Sequence, residues 1–178
     1  ALAKLPRLLE AVERMASEYA RIGDEEADTV KSARTHLQDA VPTTLGREFN
    51  AYAFTLRRVA KQIALCHDPL CEIGLGGSAA GTGLNTSPGY IENVAKELAN
   101  LTGDPIRPAS DLAAQMQSMG DVQNLSAAIR SLTLELTRIS NDMRLLASGP
   151  RTGLGEIQLP PVQPGSSIMP GKVNPVMF

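Results

Sequence analysis

The chain has no tryptophan, and aromatic residues fill only 3% of its 178 positions. Proteins that stack nucleic-acid bases on aromatic platforms are therefore a poor match. Lys and Arg number 17 against 19 Asp and Glu, a net charge of −2. No basic surplus is available to neutralise a phosphate backbone, so no nucleic-acid partner is expected. No apolar run is long enough to span a bilayer, and no charged-then-apolar leader opens the sequence; no membrane partner is expected. Histidine occurs twice, at His36 and His67. That excludes a His-rich metal cluster, and no metal or cofactor is expected. The two cysteines, Cys66 and Cys71, have no supporting disulfide framework. Isolated thiols without a secretion signal favour a reducing, cytoplasmic setting.

What is present describes a globular, helical chain. Hydrophobic residues reach 43% and charged residues 20%, a balance that can bury a core. Leu2, Leu5, Leu8, Leu9, Val12, Met15, Tyr19 and Ile22 share one helical face, and Gly23 offers a stop. The stretch from Thr29 to Gly46 begins extended or irregular, and Pro42 disfavours a helical Val41. Leu45, Phe49, Tyr52, Leu56, Val59 and Ile63 then step by threes and fours, as in a bundle helix. A glycine-rich connection follows. Ser87 is placed to cap a helix opening at Pro88 and ending at Gly103. The longest stripe runs from Leu112 through Met116, Met119, Val122, Leu125, Ile129, Leu132, Leu136, Ile139 and Met143 to Leu146. It predicts one helix over about 110–147, on the order of 55 Å long. Such a helix wants partners from this chain and from others. The fold class expected is all-α, a long-helix bundle.

Three stretches carry candidate chemistry. "GLGGSA" (Gly74 to Ala79) fits a loose dinucleotide pattern. It lacks a clear strand before it and a helix straight after, so a tight turn is the better reading. "RTHLQDAVP" (Arg34 to Pro42) gathers a hydroxyl, an imidazole, an amide and a carboxylate. It reads either as a polar loop entering a helix or as a carboxylate-binding edge, with Asp39 orienting His36 or pairing with Arg34. "GSSIMPGKVNP" (Gly165 to Pro175) alternates apolar Ile168, Met169 and Val173 with Ser, Lys and Asn. That describes a loop folded over something rather than a linker. Lys172 offers a point charge and Asn174 a directional amide, a pair suited to a carboxylate. Gly165 and Gly171 permit bends that aim backbone N–H groups at an anion.

These residues resemble the aspartase/fumarase superfamily, whose signature reads GSSxMPxKxN. "RTHLQDAVPTTLGREF", "GTGLNTSPGY" and "ISNDMRLLASGPRTGLGEIQLP" agree in order, so the resemblance covers about Val30 to Met177. It implies a bundle of long helices, with four subunits forming a homotetramer and active sites where three of them meet. It also implies a small dicarboxylate substrate and anti elimination from a succinyl group. The first signature serine, Ser166, maps to the base that takes a proton beside a carboxylate. Lys172 and Asn174 map to substrate-carboxylate contacts. Thr35 and His36 map to a second substrate-binding segment, with His36 a candidate for proton transfer or leaving-group handling.

By this resemblance residues 1–178 are expected to be the central helical domain. Nothing in residues 1–28 matches the superfamily's N-terminal substrate-binding segment, and the chain stops soon after the signature. "DAVP" and "NPVM" look more like aspartases, where fumarases more often read "DATP" and "NPTQ". The reaction implied first is loss of ammonia from L-aspartate, through an aci-carboxylate. Fumarate hydration and a non-catalytic oligomerisation module remain the alternatives.

Overall fold

A computed structural model describes all 178 residues and is mostly helical. After a short 3-10 turn the elements run α1 (Leu5–Glu25), β1 (Val30–Thr35), β2 (Gln38–Thr44), α2 (Leu45–Leu65) and α3 (His67–Leu70). There follow β3 (Glu72–Ile73), α4 (Tyr90–Thr102), β4 (Arg107–Pro108), α5 (Leu112–Gln117) and α6 (Gly120–Leu146). The strands form only two small pairs, β1 with β2 antiparallel and β3 with β4 parallel. The all-α class therefore holds. No helix is long and apolar enough to cross a membrane. The chain divides into two compact units, Ala1–Ser131 and Leu132–Phe178.

In the first unit α1 and α2 pack antiparallel. Their cross-helix pairs descend one helix as they climb the other: Glu13 with Arg57, Tyr19 with Phe49 and Tyr52, Gly23 with Asn50. All six apolar positions of the α2 stripe are buried, and Leu56 and Ile63 are wholly excluded from solvent. Burying each of those two side chains contributes about 1.5–3 kcal/mol. The α1 stripe is narrower than its spacing predicts. Leu5, Val12 and Ala16 are buried while Met15 is 43% exposed. A small residue at 16 lets the helices approach, and Met15 faces outward. Gly23 does not stop α1. It lies buried inside the helix, where a Cβ would meet the Asn50 side chain at 2.6 Å. Tyr19, Phe49 and Tyr52 stack as a triad with centroids 5.8–5.9 Å apart, near the optimum for tilted aromatic pairs.

The extended stretch between α1 and α2 is a hairpin. Its foot is tied to the end of α1 by Leu45 N–H to the Thr29 carbonyl, 2.9 Å, and Gly46 N–H to the Glu26 carbonyl, 3.0 Å. Thr44 caps α2 by accepting from the Arg47 N–H at 3.2 Å, a contact worth about 1 kcal/mol. Lys31 on β1 reaches Glu48 in the first turn of α2 at 2.7 Å, with only 8% of the lysine side chain exposed.

Two helix ends differ from the sequence expectation. Ser87 does not cap α4. Its carbonyl accepts from the Tyr90 N–H, and Gly89 in the left-handed region occupies the cap position. Gly103 ends α4 as expected, also left-handed. The single helix expected over 110–147 is two. Ser118 turns extended and its hydroxyl accepts from the Gly120 N–H at 3.1 Å, a local bond that replaces helical pairing. α6 alone, with 27 residues, is about 40 Å long.

In the second unit Leu132, Ile139, Met143 and Leu146 are the buried face of α6. The strap that follows turns back on the helix end through Gly155 N–H to Ser148 O and Glu156 N–H to Leu146 O, both 2.9 Å. Leu154 N–H adds a bond to the Ser148 hydroxyl at 3.1 Å.

Candidate active site

Thr35 and His36 lie at the tip of the β1–β2 hairpin. Register pairs Thr35 with Gln38 and Arg34 with Asp39, which leaves His36 and Leu37 as a two-residue turn. Both have positive φ, 52° and 60°. A tight hairpin turn needs that backbone, yet Asn or Gly usually supplies it. Placing His and Leu there costs of order 1 kcal/mol each, and such strain clusters at functional sites. Asp39 faces Arg34 across the ladder, as the sequence allowed, and also accepts from the Ser32 hydroxyl at 3.5 Å. The Lys31–Glu48 bridge fixes β1 on α2 and so sets where this tip stands in the first unit.

Ser166, Lys172 and Asn174 share one loop in the second unit. The Ser166 hydroxyl oxygen accepts from two backbone N–H groups, Ile168 at 3.3 Å and Met169 at 3.2 Å. Lys172 N–H returns to the Met169 carbonyl at 3.2 Å and closes a turn. Asn174 Nδ2 donates to the Gly165 carbonyl at 2.8 Å. The loop crosses itself so tightly that a Cβ on Gly165 would stand 1.7 Å from the Lys172 carbonyl oxygen. Glycine is thus required at 165 for contact rather than for bending. The donors to Ser166 are Ile168 and Met169, not the glycines. A serine whose oxygen caps the N–H groups two and three residues on is the pattern that signals this.

The apolar anchors of the loop are not buried within this unit: Ile168 is 84% exposed, and Met169 and Val173 are also open. Gly171, Val173 and Pro175 line a cavity of about 350 Å³ with Pro150, Ile157 and Leu159, while Lys172 and Asn174, between them, do not line it.

The other sequence candidates do not form a site. The two-residue β3 and the sixteen positions between it and α4 give no strand–turn–helix for a dinucleotide. His67 is half-buried, with Nδ1 3.8 Å from Cys71 Sγ. Both cysteines are free, and burial pushes the Cys71 thiol up from its ordinary value. Arg107 bridges Asp68 at 2.9 Å and Glu72 at 3.0 Å, a structural tie across β3 and β4.

A family model described as "Lyase" matches residues 1–178. An aspartate ammonia-lyase of a Bacillus species is 47% identical over 176 residues, 99% of this chain and 38% of that protein. A class II fumarate hydratase of Ralstonia nicotianae is 47% identical over 168 residues, 94% of this chain and 36% of that protein. Among solved structures, a fumarate lyase:delta crystallin from Brucella melitensis superposes with a TM-score of 0.94 at 43% identity, over 99% of this chain and 38% of that one. A class II fumarase from Schistosoma mansoni gives 0.89 at 34% identity, over 95% of this chain and 38% of that one. The chain thus spans well under half the length of the curated relatives it matches. With the whole chain matched by the family model and the fold shared at this identity, the chain belongs to the lyase family of the aspartase/fumarase superfamily.

Proposed function

We propose that this chain supplies two of the substrate-binding segments of a lyase that eliminates ammonia from L-aspartate to give fumarate. The observation that carries the reading is the Ser166 hydroxyl held by two backbone N–H groups. A serine is a weak base in water, and donors aimed at its oxygen favour the alkoxide. Ser166 takes the proton from the carbon beside the β-carboxylate. The C–H electron pair passes into that carboxylate as an aci-carboxylate dianion. The pair then returns to form the carbon–carbon double bond as the C–N bond breaks, and the amine leaves as ammonia. Lys172 and Asn174 hold carboxylate oxygens and so carry the charge that develops. Thr35 orients the substrate, and His36 on its strained turn handles the leaving group.

Assembly is part of this reading. Met119 just before α6, Val122 and Ile129 on α6, Phe54 on α2 and Ile168 on the loop are exposed apolar positions. A homotetramer of helical bundles would cover them and bring hairpin tips and loops of different subunits into shared sites. Residues 1–178 act as its central helical domain, and the two free thiols fit a cytoplasmic enzyme. A fumarate hydratase is the second reading, supported by the equal identity to the Ralstonia protein. Following fumarate absorbance with L-aspartate or with L-malate, in the full-length protein, separates the two. Ser166→Ala should lower turnover by about 10³-fold or more with the fold intact. Near-normal turnover in that variant would sink the base assignment. Oligomers that yield fumarate from neither substrate would leave an assembly module instead.

A further inference from the structure

We infer that Asn174 is a positioning residue as well as a substrate contact: its amide clasps the signature loop shut through Gly165 and thereby sets the donors on Ser166. The inference rests on the reading of Ser166 as base. Asn174 Nδ2 carries two hydrogens. One is spent on the Gly165 carbonyl at 2.8 Å. That carbonyl belongs to the peptide that leads directly into Ser166. The second hydrogen is left for a carboxylate oxygen. One amide group therefore touches both the substrate and the peptide preceding the base.

The clasp has a second half. Gly165 lies against the Lys172 carbonyl so closely that no side chain fits between them. Lys172 in turn closes the turn with Met169, and Met169 N–H is one of the two donors to Ser166. Gly165, Ser166, Met169, Lys172 and Asn174 thus form a closed ring of contacts. Opening it at either the amide or the glycine frees Ile168 and Met169 N–H from the serine oxygen. The half-buried state of Gly165, Ser166 and Asn174, beside exposed Ile168 and Lys172, fits a loop whose order comes from this ring rather than from buried apolar anchors.

Two variants of the full-length protein test the clasp from opposite sides. Asn174→Leu keeps the side-chain shape and removes the donor. Gly165→Ala breaks the crossing and leaves the Asn174 side chain chemically intact. Hydrogen exchange of the 165–175 segment reports the ring without reference to turnover. Both variants should speed exchange at Ile168 and Met169, with the melting temperature of the protein little changed. In turnover, Gly165→Ala should lower kcat about 100-fold, as loss of a preorganised donor does, with KM altered much less. The alkaline-favoured limb of the kcat–pH profile should move to higher pH, because an alkoxide that loses N–H donors forms less readily. Wild-type exchange rates in both variants overturn the clasp. So does a Gly165→Ala enzyme that changes only KM, or one that loses kcat with its pH limb unmoved. The base reading fails separately, through Ser166→Ala retaining turnover, and the exchange result stands either way.

Discussion

Gly46 sits where α1 and α2 touch, and replacing it with alanine should be among the most damaging one-carbon changes in the first unit. A Cβ there would stand 2.2 Å from the Gly23 carbonyl oxygen, 2.7 Å from the Glu26 carbonyl carbon and 2.8 Å from the Ala27 Cα. All three are backbone atoms, so no side chain can swing aside. The helices must part by roughly 1 Å, a gap that forfeits a quarter to a half of each dispersion contact it opens. Overpacking of this kind costs about 1–3 kcal/mol. The shift also pulls on the Gly46–Glu26 and Leu45–Thr29 hydrogen bonds, each worth about 1 kcal/mol net. Alanine returns at most about 1 kcal/mol as the better helix former. The net expectation is a loss of about 2–4 kcal/mol, a large share of the stability of an ordinary domain.

Gly103→Ala is the control. Its φ is 75°, yet nothing lies within 4 Å of the added carbon, so only backbone strain of about 1 kcal/mol applies. Urea unfolding followed by far-UV circular dichroism measures both, at matched protein concentration because any assembly would add apparent stability. If Gly46→Ala lies within about 0.5 kcal/mol of wild type, or costs less than Gly103→Ala, the steric argument is wrong. The hairpin adds a functional readout. Gly46 follows the foot of β2, so the same displacement should disturb Thr35 and His36 and lower turnover before the protein unfolds.

Lys31→Met should leave the Glu48 carboxylate half-buried without its 2.7 Å partner and cost about 1–3 kcal/mol. Hydrogen exchange along β1 should rise in the same variant, and unchanged β1 exchange would show that the ion pair does not hold the hairpin. Alkylation followed by peptide mass spectrometry should label Cys66 first, because Cys71 is fully buried and burial keeps its thiol protonated. Equal labelling of both in the native protein would contradict that core placement.

How much of this was legible depends on which forces were local. The α2 stripe was readable because its apolar positions recur at helical spacing on one face, and all six are buried. The hydrophobic spacing points to Met15 and passes over Ala16, which is the buried one, because periodicity cannot tell how closely two helices approach. The break at Ser118 was hidden for a related reason. Met116, Met119 and Val122 keep their three-residue steps through it, and a side-chain bond over two residues leaves no mark on the hydrophobic pattern. The hairpin was masked by its turn. His36 and Leu37 take left-handed backbone without glycine or asparagine to announce it, so the sequence showed the chemistry of "RTHLQD" and not its shape.

The signature loop inverts that case. Its mixture of apolar and polar residues suggested burial of Ile168, Met169 and Val173, but these are open within the chain. What orders the loop is polar and short-range: a serine oxygen, an asparagine amide and one glycine pressed on a carbonyl. The exposed side chains are then free to meet other surfaces without setting the loop's internal geometry. A loop built this way can keep the donors on the Ser166 hydroxyl in place while its outer face is covered and uncovered. In the proposed tetramer, subunit contacts at Ile168 would therefore govern access to the site, and the clasp would govern the basicity of Ser166. Under that proposal two functions share one eleven-residue stretch by using different atoms: side-chain carbons outside, backbone N–H and C=O groups within.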